Sequence, residues 1–299
     1  MAVQATGDQS PKLAAATAIG TVQLTVANLE RSRAFYENVL GLRPQEQPDG
    51  SVLLGGAARL PPLLSLVGDS AAPPRNPRQT GLYHFALLVP TRRDLAVALV
   101  RLAQAGWSLD GASDHLVSEA LYLTDPEGNG IEIYADRDRA VWRFDGDGRL
   151  EMATLQLDLD GLLAELNEAP PDPVADALMA DGTRIGHVHL QVAELEQIER
   201  FYAGVLGFDV MVKLGGTALF VSAGGYHHHL GLNTWQSRGG TTPPAGGVGL
   251  RAYEIRLGDS DALARVLARV QAAGIATEPA ADGATLARDP SGNGILLRI

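Results

Sequence analysis

The sequence IGTVQLTVANLERSRAFYENVLGL at residues 19–42 recurs, in register and without a gap, as IGHVHLQVAELEQIERFYAGVLGF at residues 185–208. DPEGNGIEIY at 125–134 likewise recurs as DPSGNGILLRI at 289–299. Two matches at about half the length of a 299-residue chain describe an internal duplication, which constrains the fold more than any single motif. The local pattern subdivides each half again. VQLTV and VHLQV alternate as strands with one inward face. In RSRAFYENVLGL, Ala34, Phe35, Val39 and Leu40 fall at helical spacing and Gly41 stands at the left-handed C-cap position. The short apolar runs 51–54 and 63–67 read as further strands. YHFALLV at 83–89 reads as another, and Thr91 with Asp94 forms a capping box for a helix to about residue 105. ALYLTDPEGNGIEIY reads as a hairpin closed by its glycine-rich turn.

Four βαβββ modules result, at roughly 19–68, 82–136, 185–235 and 249–299, an α+β architecture. Residues 1–18 read as a flexible tail, 19–136 and 185–299 as two halves, and 137–184 as a connector. One module leaves a sheet face uncovered, so modules must pair.

Composition narrows the function classes. Twenty-four Lys and Arg against 35 Asp and Glu give a net charge of −11, with no local basic cluster, which argues against nucleic-acid and anionic-membrane partners. No apolar run reaches a membrane span, and MAVQATGDQSPK lacks the pattern of a signal peptide, so a cytoplasmic location is expected. With no Cys, disulfides and thiolate ligands are excluded, and a bound metal would use His, carboxylate, amide or hydroxyl groups.

The strand pattern of the first segments, the helix ending FYxxVLGF and the hairpin DPxGNGIE together resemble the vicinal oxygen chelate superfamily over nearly the whole chain. This is the superfamily of glyoxalase I, bleomycin-binding proteins and extradiol dioxygenases. The resemblance implies two cup-shaped mixed sheets, with metal ligands on the first and last strands of paired modules. Its first-strand ligand position falls on Thr21, His84, His187 and Ala252, and its last-strand carboxylate position on Glu132 and Leu296. Pairing of module two with module three would bring His84, His187 and Glu132 together; if modules one and two close on each other instead, His187 is separated and the site must be rebuilt across a subunit interface or abandoned. Two His and one carboxylate form the facial set associated with non-haem Fe(II), with Mn(II) able to use the same ligands. The cup of modules one and four is expected to be metal-free.

ALFVSAGGYHHHLGLNTW at 218–235 resembles the extradiol segment that carries the acid/base histidine, which implies that role for His228. Tyr122 stands ten residues before Glu132, as in the catechol 2,3-dioxygenase-like branch. The implied activity is extradiol cleavage of a catechol-type substrate with dioxygen; a homo-oligomer is left open. His115, His229, Asn233 and Trp235 are candidate substrate contacts, and His189 reads as a structural neighbour of the site. A lone strand histidine is more often a core residue than a ligand, and the run 227–229 can send only alternate residues inward. Two other readings stay open. A glyoxalase-like isomerase or lyase would want a fourth protein ligand from the third module's last strand, where His229 or Gly231 falls. A non-enzymatic drug-binding protein would use the cups as apolar pockets.

Overall fold

The computed structural model describes residues 12–58, 61–146, 148–167 and 178–299. Module one comprises β1 (Ala18–Val26), α1 (Leu29–Ala34), β2 (Arg43–Glu46), β3 (Val52–Gly55) and β4 (Leu64–Gly68). Module two comprises β5 (Gly81–Leu88), α2 (Arg92–Gln104), β6 (Gly111–Asp114), β7 (Ser118–Thr124) and β8 (Gly130–Asp136). The connector adds β9 (Leu155–Gln156) and α3 (Leu159–Ala164). Module three comprises β10 (Arg184–Gln191), α4 (Leu195–Glu199), β11 (Asp209–Leu214), β12 (Ala218–Ser222) and β13 (Leu230–Asn233). Module four comprises β14 (Gly249–Arg256), α5 (Ser260–Ala272), β15 (Thr277–Pro279), β16 (Thr285–Arg288) and β17 (Gly294–Arg298).

The modules form two mixed sheets, each with one module from each half. One has the order β15-β16-β17-β14-β1-β4-β3-β2, joining modules four and one; the other runs β11-β12-β13-β10-β5-β8-β7-β6-β9, joining modules three and two. In both, the two first strands meet antiparallel at the centre, β1 on β14 and β10 on β5. Val22, Leu24, Phe85, Leu87, Val188 and Tyr253 from these central strands belong to one buried core. The pairing follows from burial: each half supplies one first strand to each sheet, so neither half's apolar faces are covered without the other.

The expected capping box at Thr91 and Asp94 starts α2, each side chain bonding to the other's backbone N–H. The two FY helices depart from ideal geometry. Each leaves its α segment through a π turn, Phe35–Val39 and Arg200–Leu206, before a glycine with positive φ, Gly41 and Gly207. Each then ties itself to the neighbouring module of its own half. The Tyr36 hydroxyl donates to Asp125 Oδ2 at 2.7 Å, and the Tyr202 hydroxyl reaches Asp289 Oδ2 at 3.0 Å. Asp125 also organises its hairpin turn, its Oδ1 accepting from the Glu127 and Asn129 amides. This buried bond latches module one to module two, so Tyr36→Phe is expected to destabilise by about 1–3 kcal/mol, because one acceptor site of a buried carboxylate loses its donor. Denaturant unfolding measures this; an unchanged midpoint would refute the latch.

Of the expected tail, residues 1–11 lie outside the described residues. Residues 12–17 pack on module three, with the Leu13 amide donating to the Gly207 carbonyl and Lys12 paired to Asp209. In the connector, β9 extends the nine-stranded sheet at β6 and the Met179 amide donates to the Gly41 carbonyl; residues 147 and 168–177 lie outside the described residues. No helix among the described residues is long and apolar enough to cross a membrane.

Candidate metal centre and active site

A cavity of about 950 Å³ opens on the concave face of the nine-stranded sheet, and His84, Glu132, His187 and His228 all line it. His84 lies on β5, His187 on β10 and Glu132 on β8. Three adjacent strands therefore present one ligand each. Glu132 Oε2 is 3.0 Å from His84 Nε2 and 3.0 Å from His187 Nε2, and the two nitrogens are 3.3 Å apart. Metal bonds of about 2.1 Å at right angles place their ligand atoms about 3 Å apart, so these separations fit one face of an octahedron. Burial pushes the Glu132 carboxyl up, but His187 and His84 outweigh it and hold it well below its usual range. Burial likewise lowers His187 to about 4, leaving it neutral as a ligand must be. These are the residues that fit a divalent cation.

Close packing sets the positions of these side chains. A Cβ at Gly130 would overlap the Tyr83 carbonyl oxygen and stand 3.0 Å from the His84 Cβ. Gly130→Ala is thus expected to cost about 1–3 kcal/mol through overpacking and, by displacing His84, to weaken metal retention. Thermal melting alongside metal analysis checks it; wild-type values for both would refute the close approach.

The third module's equivalent of Glu132 is Gly231. Register places Ala86 beside Glu132 and His189 beside Gly231, and a Cβ on Gly231 would stand 2.8 Å from His189 Cγ. The His189 ring therefore occupies the space that a fourth ligand's side chain would need. His189 is buried, lines the cavity, and has an Nε2 without a hydrogen-bond partner.

Of the run 227–229, His228 lines the cavity, its ring 4.1 Å from that of His187. Its protonation pattern follows from its partners. His227 Nε2 lies 3.0 Å from Asp136 Oδ1, and His227 Nδ1 lies 2.8 Å from His228 Nδ1. The carboxylate can only accept, so Nε2 of neutral His227 carries its proton and its Nδ1 accepts. His228 must then donate from Nδ1, which leaves its Nε2 as the free lone pair. Burial, reinforced by the neighbouring histidines, lowers the His228 pKa well below its usual value. Asp136 also accepts from the Tyr226 hydroxyl, which is 2.7 Å from the Tyr134 hydroxyl. The contacts of this network have no signature in the sequence motifs because its members come from modules two and three.

His115 Nδ1 is 2.7 Å from the Ala153 carbonyl and its Nε2 is 2.6 Å from the Tyr122 hydroxyl. A carbonyl only accepts, so neutral His115 carries its proton on Nδ1 and the Tyr122 hydroxyl donates to Nε2. Both residues line the cavity, and Leu116, next to His115, has a φ of 69°, strained for a side-chain-bearing residue. Trp235 lines the cavity mouth with its ring 5.3 Å from both Tyr83 and His189. His229 and Asn233 stand outside the cavity lining. His229 Nδ1 accepts from the Ala223 amide, and Asn233 Oδ1 accepts from the Trp235 amide. Of the alternatives that alternation allowed, His228 alone or His227 with His229, the cavity lining includes His228 only, although β13 begins just after the run, at Leu230.

In the eight-stranded sheet the corresponding positions hold other groups. Thr21 donates its hydroxyl to the Pro62 carbonyl, while Ala252 and Leu296 form a small apolar cluster with Ala284.

Comparison with known proteins agrees with this geometry. The Glyoxalase/Bleomycin resistance protein/Dioxygenase superfamily matches residues 18–133 and 184–297. A protein of Bacillus subtilis (strain 168) named catechol-2,3-dioxygenase is 43% identical over 263 residues, covering 88% of this chain and 90% of that one. Among solved structures, a putative dioxygenase from Bacillus subtilis subsp. subtilis str. 168 aligns with a TM-score of 0.62 at 14% identity, over 96% of this chain and 85% of the other. Glyoxalase I from Zea mays aligns with a TM-score of 0.54 at 15% identity, over 94% and 92%. The two structural likenesses establish the shared fold, and the sequence relative narrows the branch. The chain belongs to the glyoxalase/bleomycin resistance/dioxygenase superfamily, in which it is a catechol-2,3-dioxygenase-like enzyme.

Proposed function

We propose that this enzyme is a ferrous-ion-dependent extradiol dioxygenase that opens the ring of a catechol-type substrate, with His84, His187 and Glu132 as the metal ligands. The observation that carries the reading is the facial set of three donor atoms, 3.0 to 3.3 Å apart, on the floor of a cavity. Fe(II), when bound there, supplies neighbouring positions for both catechol oxygens and for dioxygen; Mn(II) accepts the same ligands. Two neutral imidazoles and one carboxylate leave a dication with one net positive charge, suited to a catecholate anion.

The remaining roles belong to the chain's own groups. His228 takes the phenolic proton at Nε2 and returns it later in the reaction, while the Nδ1 contact to His227 holds its ring in place. Tyr122, with its proton directed to His115, offers its oxygen to a substrate hydroxyl. Phe220 and Trp235 line the cavity and shield an aromatic ring from water. At about 950 Å³ the cavity also has room for ring substituents, lying near the top of the roughly 300–1,000 Å³ range of small-molecule sites. A glyoxalase-like isomerase is less well supported because Gly231 offers no fourth ligand, and a drug-binding role leaves the buried His-Glu-His set without a purpose. The direct test is anaerobic reconstitution with ferrous ion, followed by catechol and oxygen. A yellow ring-cleavage product and equimolar oxygen uptake are expected, both lost on chelation. No oxygen uptake across a panel of catechols would overturn the proposal.

A further inference from the structure

The eight-stranded sheet has its own cavity, of about 410 Å³, at the end of the cup where β14 begins. Its lining is unusual for a chain of net charge −11: it includes three arginines, Arg75, Arg251 and Arg288, and no Asp or Glu among the described residues. Arg75 is engaged, donating to the Gly128 and Leu82 carbonyls and to Gln191 Oε1. Arg251 donates one bond to Thr25 Oγ1, and Arg288 donates one to the Gly292 carbonyl. Neither has a carboxylate partner among the described residues. Glu254 and Asp289 are buried acids of module four, but Glu254's oxygens are taken by Arg256, Arg298 and the Thr21 amide, Asp289's by Tyr202, Ser291 and Asn293, and neither lines the cavity. Both arginines are solvent-exposed, and no carboxylate among the described residues joins them in the cavity lining.

The rest of its lining mixes polar side chains, Gln23, Gln79 and Asn293 among them, with an aliphatic patch. Ala252 and Leu296, which hold the positions of His84 and Glu132 in the other cup, line it together with Leu286 and Ala280. Two arginines and an aliphatic patch in one lining, in a volume within the roughly 300–1,000 Å³ of small-molecule sites, suit a ligand with an anionic head and a short apolar body. We propose that this second cup is a binding site for a small amphiphilic carboxylate, whose head pairs with Arg251 and Arg288 and whose body rests on Leu286 and Leu296. Guanidinium pairs well with a planar carboxylate, and the aliphatic patch of Leu286 and Leu296 favours a ligand with a carbon body over a fully hydrated inorganic anion. Arg251, Arg288, Leu286 and Leu296 line only this second cavity, although Arg75 lines both, and the proposal stands independently of the reaction assigned to the His-Glu-His set.

The test is calorimetric titration of the full-length protein with hexanoate. Saturable binding is expected, weakened at least tenfold in the Arg251→Gln/Arg288→Gln double variant and at least tenfold for hexan-1-ol in place of hexanoate. His84→Ala should leave hexanoate binding unchanged, since that residue belongs to the other cavity. Leu286→Glu should abolish binding by repulsion while Leu286→Gln retains it, which reports on the same site without removing an arginine. Thermal melting confirms that each variant is folded. Absence of saturable binding, equal binding by the double variant or by hexan-1-ol, or loss of binding in His84→Ala would each overturn the assignment.

Discussion

Glu132→Ala is expected to strip the enzyme of its metal and of its activity together. Glu132 is the one anionic member of the group of three, and it is 3% exposed, so no solvent-borne carboxylate can readily take its place. Without it, two neutral imidazoles 3.3 Å apart must hold a dication with no compensating charge nearby. Losing a mere outer partner of a metal ligand typically costs 10–100-fold in affinity or activity, so losing the ligand itself should exceed about 100-fold in both. Metal analysis after gel filtration should fall from near-stoichiometric to background, with circular dichroism confirming the fold. Glu132→Gln tests whether charge or shape matters more, because the amide keeps the volume and one carbonyl oxygen but not the anion. Stoichiometric metal in Glu132→Ala would show that the three residues are not the ligand set.

The second large effect is expected at His228, and it should separate chemistry from metal binding. General acid-base groups contribute about 10²–10⁴-fold, so His228→Gln should lower kcat by that factor while metal content stays at the wild-type level. KM should change little, since a glutamine still fills that part of the wall. Asp136→Asn should shift kcat in the same direction by less, because Asp136 acts through His227. With an amide at 136, the carbonyl can still accept from His227, but the NH₂ group can instead face it and reverse the tautomers along the chain, placing a proton on His228 Nε2. Steady-state kinetics with parallel metal analysis checks both variants. Unchanged kcat in His228→Gln would remove this residue from the proton transfers.

Much of the fold was legible because duplication displays itself in the linear sequence. Two copies of a strand followed by an FY helix and a capping glycine, and two copies of DPxGNG, define the modules before any coordinates are known. The local chemistry followed as well: Thr91 and Asp94 form their capping box, and Gly41 and Gly207 take positive φ at the ends of their helices. The π turns inside those helices were not legible, since a widened turn leaves the apolar spacing almost unaltered. Nor was β2, whose residues Arg43–Glu46 are too polar to show an alternation.

For the candidate site, sequence by itself determined the inventory. Residue identity at aligned strand positions singled out His84, His187 and Glu132, and the absence of Cys restricted the other ligands available. Tertiary structure decided the assembly. Whether β5 pairs with β10 depends on burying faces that lie about a hundred residues apart, and such long-range pairing has no signature in local periodicity. The same holds for the contact between His227 and Asp136, for the His189 ring that fills the space beside Gly231, and for the arginines gathered around the second cup. Hydrogen-bond direction and cavity charge are properties of groups brought together in space, so they arise only once the four modules have closed on one another.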